Sequence, residues 1–401
     1  MTLDSHQTAR VAETNRAVHS GSTAPVSAPA QRDLPPAVVV GLCAHGLATT
    51  RALAVGGVKV VALEADSRLP GVRTAKATVR SLGPMNGAGL SKTLLQLARE
   101  SAFPSRPVLF VMNDNMVRDV AENWRELEPW YQLSWSGSTQ TVLHLMSKDH
   151  LPEICARTNV GFPATLRYAS KADHASVAAQ MSFPAIVKPA WPMGSFKAVI
   201  VNGSEELAEV AAKHERSLPF VVQQWIAGGP TALCFATMYL KEGRVLARFE
   251  GRKAFAGADG MGQGTVMEPW PDDTVHETAR RFVEGLGLSG PLAVEFKRSP
   301  DGRLWLIEPN VGRTEYCVDL CTVNGINLPL MEYRDVLGLE IPQATQRNDR
   351  IWFDTDRDPP SWLRFLRQRG LDRRALRPAF PYLNWGDLQP FMYAAKKKLF
   401  G

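Results

Sequence analysis

The residues best suited to chemistry lie in one stretch, 291–313, reading PLAVEFKRSPDGRLWLIEPNVGR. Two strand-like segments, 292–300 and 303–310, flank Asp301-Gly302, a strong two-residue turn signal. With those two residues as the loop, Pro300 faces Arg303, and counting back pair by pair sets Glu295 directly opposite Glu308. Directly opposed residues share a face, with Cβ atoms about 4.5–5.5 Å apart. Two carboxylates so placed repel each other, and a sheet has no folding reason to choose them, so a cation between them is expected. Asn310, two residues past Glu308, points to the same side and adds an oxygen donor. Hard oxygen donors without nearby His or Cys suit Mg²⁺ or Mn²⁺ rather than zinc, and magnesium held by only two carboxylates usually also holds phosphates. The alternative is a solvated acidic edge with Lys297 as its counter-ion; Trp305, Leu306 and Ile307 speak against it by making the second strand look buried.

Cations suited to phosphates occur upstream. Lys188 stands near the end of a strand-like run, 182–190, followed by the loop 191–197; a long cationic arm beside a loop can hold nucleotide phosphates, although a lone lysine is also a common snorkelling surface residue. The strand-like run 219–226 ends QQWI before Ala227-Gly228-Gly229-Pro230 and could offer backbone groups to an adenine edge. Two further strands within 231–249 flank the turn Lys241-Glu242-Gly243-Arg244. Arg252 and Lys253 then stand at the entrance of the glycine-rich stretch 256–265, AGADGMGQGT, which reads as a mobile loop whose amides can approach an anion.

The elements that must position these residues begin with AVVVGL at 37–42 and VKVVAL at 58–63, two buried parallel strands around a helix at 46–55. Such a β-α-β unit places a ligand at the carboxyl ends of its strands. Its turn, GLCAHG, has too few glycines for a dinucleotide fingerprint, and Glu64 alone is a weak ribose signal, so a nicotinamide cofactor is not expected. A third strand at 108–112 ends in Asn113-Asp114-Asn115, which either touch a ligand or cap the helix expected over 116–127. A helix over 148–158 opens the next domain, and another at 276–286 leads into the hairpin.

At 401 residues the chain holds two or three domains, and no apolar run approaches the ~20 residues of a membrane span. Residues 1–34 lack an apolar core segment and read as a disordered tail; Asp4, Glu13 and Asp33 speak against a transit peptide. Five cysteines without a CxxC pair point to a reducing cytoplasm. The formal charge is +6, matched by the stretch from Ala344 onward, but its bases are interleaved with acids and no nucleic-acid partner is expected.

Taken together, the strand with Lys188, the strand ending QQWIAGG, the glycine-rich loop after GRK, and VEF paired with IEPN before an arginine resemble the ATP-grasp superfamily. The likeness covers roughly residues 147–338. NGINLPLMEYRDVLG and the GRK segment look like the group of predicted carboxylate-amine ligases similar to D-aspartate ligase. The resemblance implies an α/β and α+β architecture: the tail, an N-terminal parallel α/β (pre-ATP-grasp) domain at 35–146, and a two-lobed ATP-grasp domain at 147–340. Its small lobe would span 147–225 and its large lobe 226–340, with a basic C-terminal extension at 341–401. It gives Lys148 and Lys188 to the phosphates of ATP, and Gln223, Gln224, Trp225 and Ile226 to the adenine hinge. It gives Glu295, Glu308 and Asn310 to magnesium, and Arg313 to the reacting acyl phosphate; with Lys253 and Arg252 at the anion-binding loop, Arg313 makes up the expected catalytic set. Two departures stand out: one glycine in the loop after Lys188, and Thr231 where an acidic residue commonly follows the hinge. The implied activity is joining a small carboxylate to an amine or amino acid at the expense of ATP. The alternative is an inactive ATP-binding regulatory or scaffold protein.

Overall fold

The structure is a computed structural model and describes residues 34–101, 103–190, 196, 198–256 and 264–400. The expected tail, apart from Leu34, the loop 191–197 apart from Phe196, and positions 257–263 of the glycine-rich stretch lie outside the described residues.

The apolar runs near the N-terminus are strands buried on both faces. β1 (Ala37–Val40) pairs in parallel with β2 (Val60–Leu63), which pairs in parallel with β3 (Thr78–Arg80). On its other side β1 pairs with β4 (Val108–Val111), giving the order β3-β2-β1-β4. The helix Ala44–Val55 follows β1 after a sharp turn. Gly41 there has φ +96°, and a Cβ on Gly46 would lie 1.8 Å from the Gly41 carbonyl oxygen, so the turn requires glycine at its close approach. Glu64, buried at the end of β2, accepts hydrogen bonds from the amides of Leu42 (2.7 Å) and Asp66 (2.9 Å), so it holds the turn. Asn113 is the N-cap of helix Asp114–Glu122, accepting from Met116 N at 3.0 Å. The single helix expected over 116–127 is two, with a break at Asn123.

The second sheet is antiparallel: β5 (Thr165–Tyr168), β6 (Ala185–Pro189), β7 (Val199–Val201) and β8 (Phe220–Gln224), in the order β5-β8-β6-β7. Tyr168, Val187, Phe220 and Val222 bury one face with Val177 and Leu207 of two covering helices.

The third sheet holds β9 (Leu233–Lys241), β10 (Arg244–Ala256), β11 (Gly264–Pro269), β12 (Gly290–Arg298), β13 (Leu304–Val311) and β14 (Trp352–Phe353), in the order β13-β12-β9-β10-β11-β14. Alternation along β9 and β12 divides the apolar residues. Ala236, Met238, Val294 and Phe296 pack with the helix Asp273–Phe282 and with the N-terminal core, while Phe235 and Tyr239 join Leu320 and Met331 on the helices after the hairpin.

Three expectations need correction. Arg252 and Lys253 do not stand at a loop entrance: β10 runs through them to Ala256, its pairing taking up bulges at Leu246 and Ala254 without ending the strand. The hairpin loop has three residues, Pro300 to Gly302, not two. Ser299 N bonds Arg303 O at 2.9 Å, Gly302 N bonds Ser299 O at 2.8 Å, and Gly302 has φ +84°, a type I turn followed by a left-handed residue. That shifts the register by one, so Lys297 faces Trp305, until a bulge at Ile307 shifts it back and sets Glu295 opposite Glu308. Finally, 341–401 is woven into the fold. It supplies β14 to the sheet and buries Asp387, which accepts from Arg51 Nε (2.9 Å), Thr74 Oγ1 (2.6 Å) and Ala75 N (3.0 Å).

Candidate functional site

Glu295 and Glu308 share one face of the six-stranded sheet, as do Lys253 on β10 and Asn310 on β13. Lys253 is buried and its Nζ lies 2.8 Å from Glu295 Oε2. Burial opposes its charge, yet Glu295, with Glu308 and Glu315 behind it, more than reverses that and raises its pKa. Asn310 is a junction: its amide nitrogen donates to Glu315 Oε1 at 2.6 Å, and its oxygen accepts from Arg313 Nη2 at 2.5 Å. Arg313 also donates from Nε to Asp114 Oδ1 at 2.7 Å. Burial works against the guanidinium, while Asp114, Glu315 and Glu308 favour it, and its pKa is raised. Glu315 is pushed up to about 7, first by burial, with Arg313 opposing and Glu295 and Glu308 adding to the rise.

The second sheet brings its cation to the same place. Lys188 Nζ donates to Gln223 Oε1 at 3.0 Å, and Gln223 is held in turn by its own donation to Thr165 Oγ1 at 2.9 Å. Burial lowers Lys188 to about 8; Lys148 and Lys297 add to the fall, while Glu308 and Glu295 oppose it. Lys148 is thus near Lys188, and Lys188 is near the paired carboxylates on the other sheet. Lys297 Nζ sits 3.7 Å above the Trp225 ring, joining the sheets at the end of β8. The amides of Gln224 and Trp225 are already bonded to Ala164 O (2.8 Å) and Pro184 O (3.1 Å), so of the expected hinge only other groups, such as those of buried Ile226, are left to a base edge.

Arg252 is not brought to this cluster. Its position in β10 points it to the opposite face, where Nε meets Glu268 Oε1 at 2.8 Å and the guanidinium lies 3.4 Å over Trp270. Conversely, Glu315 and His45 belong to the cluster or its support without having been singled out, while Lys297, expected only as a counter-ion, and Asp114, expected to touch a ligand or cap a helix, join it too. Glu315, two residues after Arg313, could have been found by continuing the hairpin reading. Asp114 lies 199 residues from Arg313, and no local pattern joins them.

Among the described residues, no three or more His, Cys, Asp or Glu side chains are grouped to hold a metal ion. The smaller set, two opposed carboxylates and an amide oxygen, fits a hard divalent cation in kind. Here Lys253 supplies the positive charge that the opposed carboxylates call for, and Arg313 engages the Asn310 oxygen. Two surface clefts, of about 360 Å³ beside Thr274 and Arg303 and about 280 Å³ beside Lys241 and Asp335, are lined by none of these residues.

No family model and no curated protein matches the sequence. Solved structures do match. The biotin carboxylase domain of the 2-oxoglutarate carboxylase from Hydrogenobacter thermophilus, solved with ADP, its magnesium salt and bicarbonate, is 15% identical with a TM-score of 0.63, over 78% of this chain and 72% of that one. The N5-carboxyaminoimidazole synthase from Aspergillus clavatus, solved with ADP and 5-aminoimidazole ribonucleotide, is 15% identical with a TM-score of 0.62, over 79% and 80%. The L-amino acid ligase from Bacillus licheniformis is 16% identical with a TM-score of 0.60, over 79% and 78%. At such identities the likeness is one of fold. The chain shares its fold with these proteins: its parallel N-terminal sheet followed by antiparallel sheets matches the ATP-grasp fold.

Proposed function

We propose that the protein is an ATP-dependent carboxylate-amine ligase. The observation that carries this reading is the convergence of Lys188 from the second sheet, and of Lys148, with Glu295, Glu308, Asn310, Lys253 and Arg313 on or beside the third, on the ATP-grasp fold. In the proposed reaction a carboxylate oxygen of the substrate attacks the γ-phosphorus of ATP, the bond to the β,γ-bridging oxygen breaks, and ADP leaves. The amine nitrogen then attacks the carbonyl carbon of the acyl phosphate, the C–O bond breaks with its electrons on the departing phosphate, and the nitrogen sheds one proton, to phosphate or solvent, as the amide forms. Lys148 and Lys188 would hold the phosphates, and Gln223, Gln224, Trp225 and Ile226 would flank the adenine. Arg313 and Lys253 would face the acyl phosphate, supplying fixed positive charge where negative charge develops. Glu295, Glu308 and Asn310 would hold magnesium, or manganese in its place, whose contribution is to neutralise phosphate charge. Arg252 is left out of the proposed machinery because it faces the other side of the sheet. A reducing compartment, the cytoplasm, accords with five free cysteines.

ADP release, screened against pools of amino acids and other carboxylates with hydroxylamine present, tests the proposal. Carboxylate-dependent ADP release with hydroxamate formation is the expected result. Nucleotide-dependent stabilisation without ADP release in any mixture would overturn it in favour of an ATP-binding regulatory or scaffold protein.

A further inference from the structure

We infer that His45, in the N-terminal domain, is a positioning residue for Arg313 that acts through Thr314. The inference rests on the proposed role of Arg313 for its consequence in catalysis, but not for its geometry. His45 lies in the first turn of the helix after β1 and is 1% exposed. Its Nδ1 is 3.1 Å from the carbonyl oxygen of Met112, at the end of β4. A carbonyl only accepts, so Nδ1 carries the hydrogen and the neutral ring turns the Nε2 lone pair toward Thr314 Oγ1, 2.8 Å away. The threonine hydroxyl therefore donates to His45. Burial, and then the charge of Arg313, hold the ring well below its ordinary pKa, at about 3, so it stays neutral.

Thr314 is fixed at two points. Its hydroxyl is tied to His45, and its carbonyl oxygen accepts from Arg313 Nη1 at 3.2 Å. The arm of Arg313 is held separately by Asp114, two residues beyond Met112, and by Asn310. One end of one parallel strand thus anchors the arginine twice: through the carboxylate of Asp114 on the guanidinium, and through Met112, His45 and Thr314 on its backbone. The tight turn before it permits nothing looser. Gly312 has φ +71°, and a Cβ there would meet Val117 at 2.9 Å. A substrate anion that drew the guanidinium off Asp114 would leave the second anchor untouched. A neutral imidazole suits that task, because it fixes direction without adding a cation beside Arg313.

Two amide variants separate the anchors, since a glutamine amide reaches where Nε2 lies and an asparagine amide only where Nδ1 lies. His45→Asn and Thr314→Val should each slow carboxylate-dependent ADP release about tenfold, the loss of roughly one hydrogen bond, with the KM for ATP unchanged, while His45→Gln restores most of it. In an Arg313→Ala background, His45→Asn should add no further loss. Amide hydrogen exchange over residues 310–316 gives a readout independent of turnover: faster in His45→Asn and Thr314→Val, close to wild type in His45→Gln. Equal effects of Asn and Gln, additive losses with Arg313→Ala, or unchanged exchange in all three would overturn the inference. If the wild-type protein releases no ADP, the ligase reading fails while the exchange experiment still decides the positioning role.

Discussion

The two faces of the six-stranded sheet both bury charges, and they do so in opposite ways. On the face carrying Arg252, acids meet bases at short range, with Glu250 the exception: it is buried and pushed up to about 7, first by burial. Glu268 is shared by Arg252 (2.8 Å) and Arg374 (3.0 Å), Arg298 meets Asp272 at 2.6 Å, and Asp272 also caps the helix Asp273–Phe282. On the face carrying Lys253, like charges crowd. Glu295 lies opposite Glu308 and both press on Glu315, while Lys148 and Lys297 press on Lys188. Paired charges settle a structure, whereas crowding of one sign costs folding energy that a purely structural cluster avoids. Arg252 and Lys253 are adjacent in sequence, and the two-residue period of a strand alone sends one to each kind of environment.

If that contrast is one of function against structure, substitutions on the two faces should separate activity from stability. The largest effect is expected from Glu308→Gln. It keeps the shape of the side chain but removes one opposed carboxylate, and should abolish magnesium-dependent nucleotide binding and lower ADP release by about 10²–10³-fold. Thermal unfolding without metal should be unchanged or shifted upward, because the repulsion with Glu295 is relieved. Unchanged ATP affinity and turnover would show that the opposed pair is not a metal site.

Glu268→Gln on the other face should behave inversely. It leaves Arg252 without a carboxylate and Arg374 with Asp372 alone, at 2.7 Å. The expected cost is about 2 kcal/mol in denaturant unfolding, below the usual figure for breaking a buried pair because both arginines keep about a fifth of their side chains in water. Turnover per folded molecule should stay at the wild-type level. A matching fall in kcat would mean that the two faces are not separable.

The same contrast explains what was legible in the sequence. AVVV, VVAL and VLFV declared themselves as buried strands because burial on both faces needs continuous apolar runs. The opposition of Glu295 and Glu308 was also reached, but by two departures that cancel: the loop is one residue longer than Asp301-Gly302 suggests, and the bulge at Ile307 takes up the difference. A bulge has no reliable sequence signature, since it answers to the neighbouring strands. Arg252 and Lys253 misled because the glycine-rich run drew the loop boundary too early, when the strand continues past both. The contacts of Arg313 with Asp114, and of His45 with Thr314, were not legible at all. They span 199 and 269 residues and arise only when the parallel sheet docks against the hairpin.

The smallest expected effect concerns pH and arises from crowding itself. Lys188 is lowered to about 8, chiefly by burial and then by Lys148, against an ordinary lysine value of 10.5. Phosphate oxygens favour its charged form, so binding ATP should draw a proton onto the lysine wherever the free protein has lost one. Affinity should therefore be full below about pH 7 and fall as pH rises through 8, by roughly tenfold between pH 7 and 9, as the charged fraction of the free protein drops. Adenosine, which presents no anion to Lys188, should bind equally across that range. Lys188→Arg keeps its charge at every such pH, so it should flatten the ATP curve. Lys188→Ala should weaken ATP about tenfold even at pH 7 and adenosine hardly at all. Titrations of both ligands at three pH values decide the matter. An ATP curve as flat as that of adenosine, or equal losses of both in Lys188→Ala, would move Lys188 from the crowded, functional face of the comparison to the structural one.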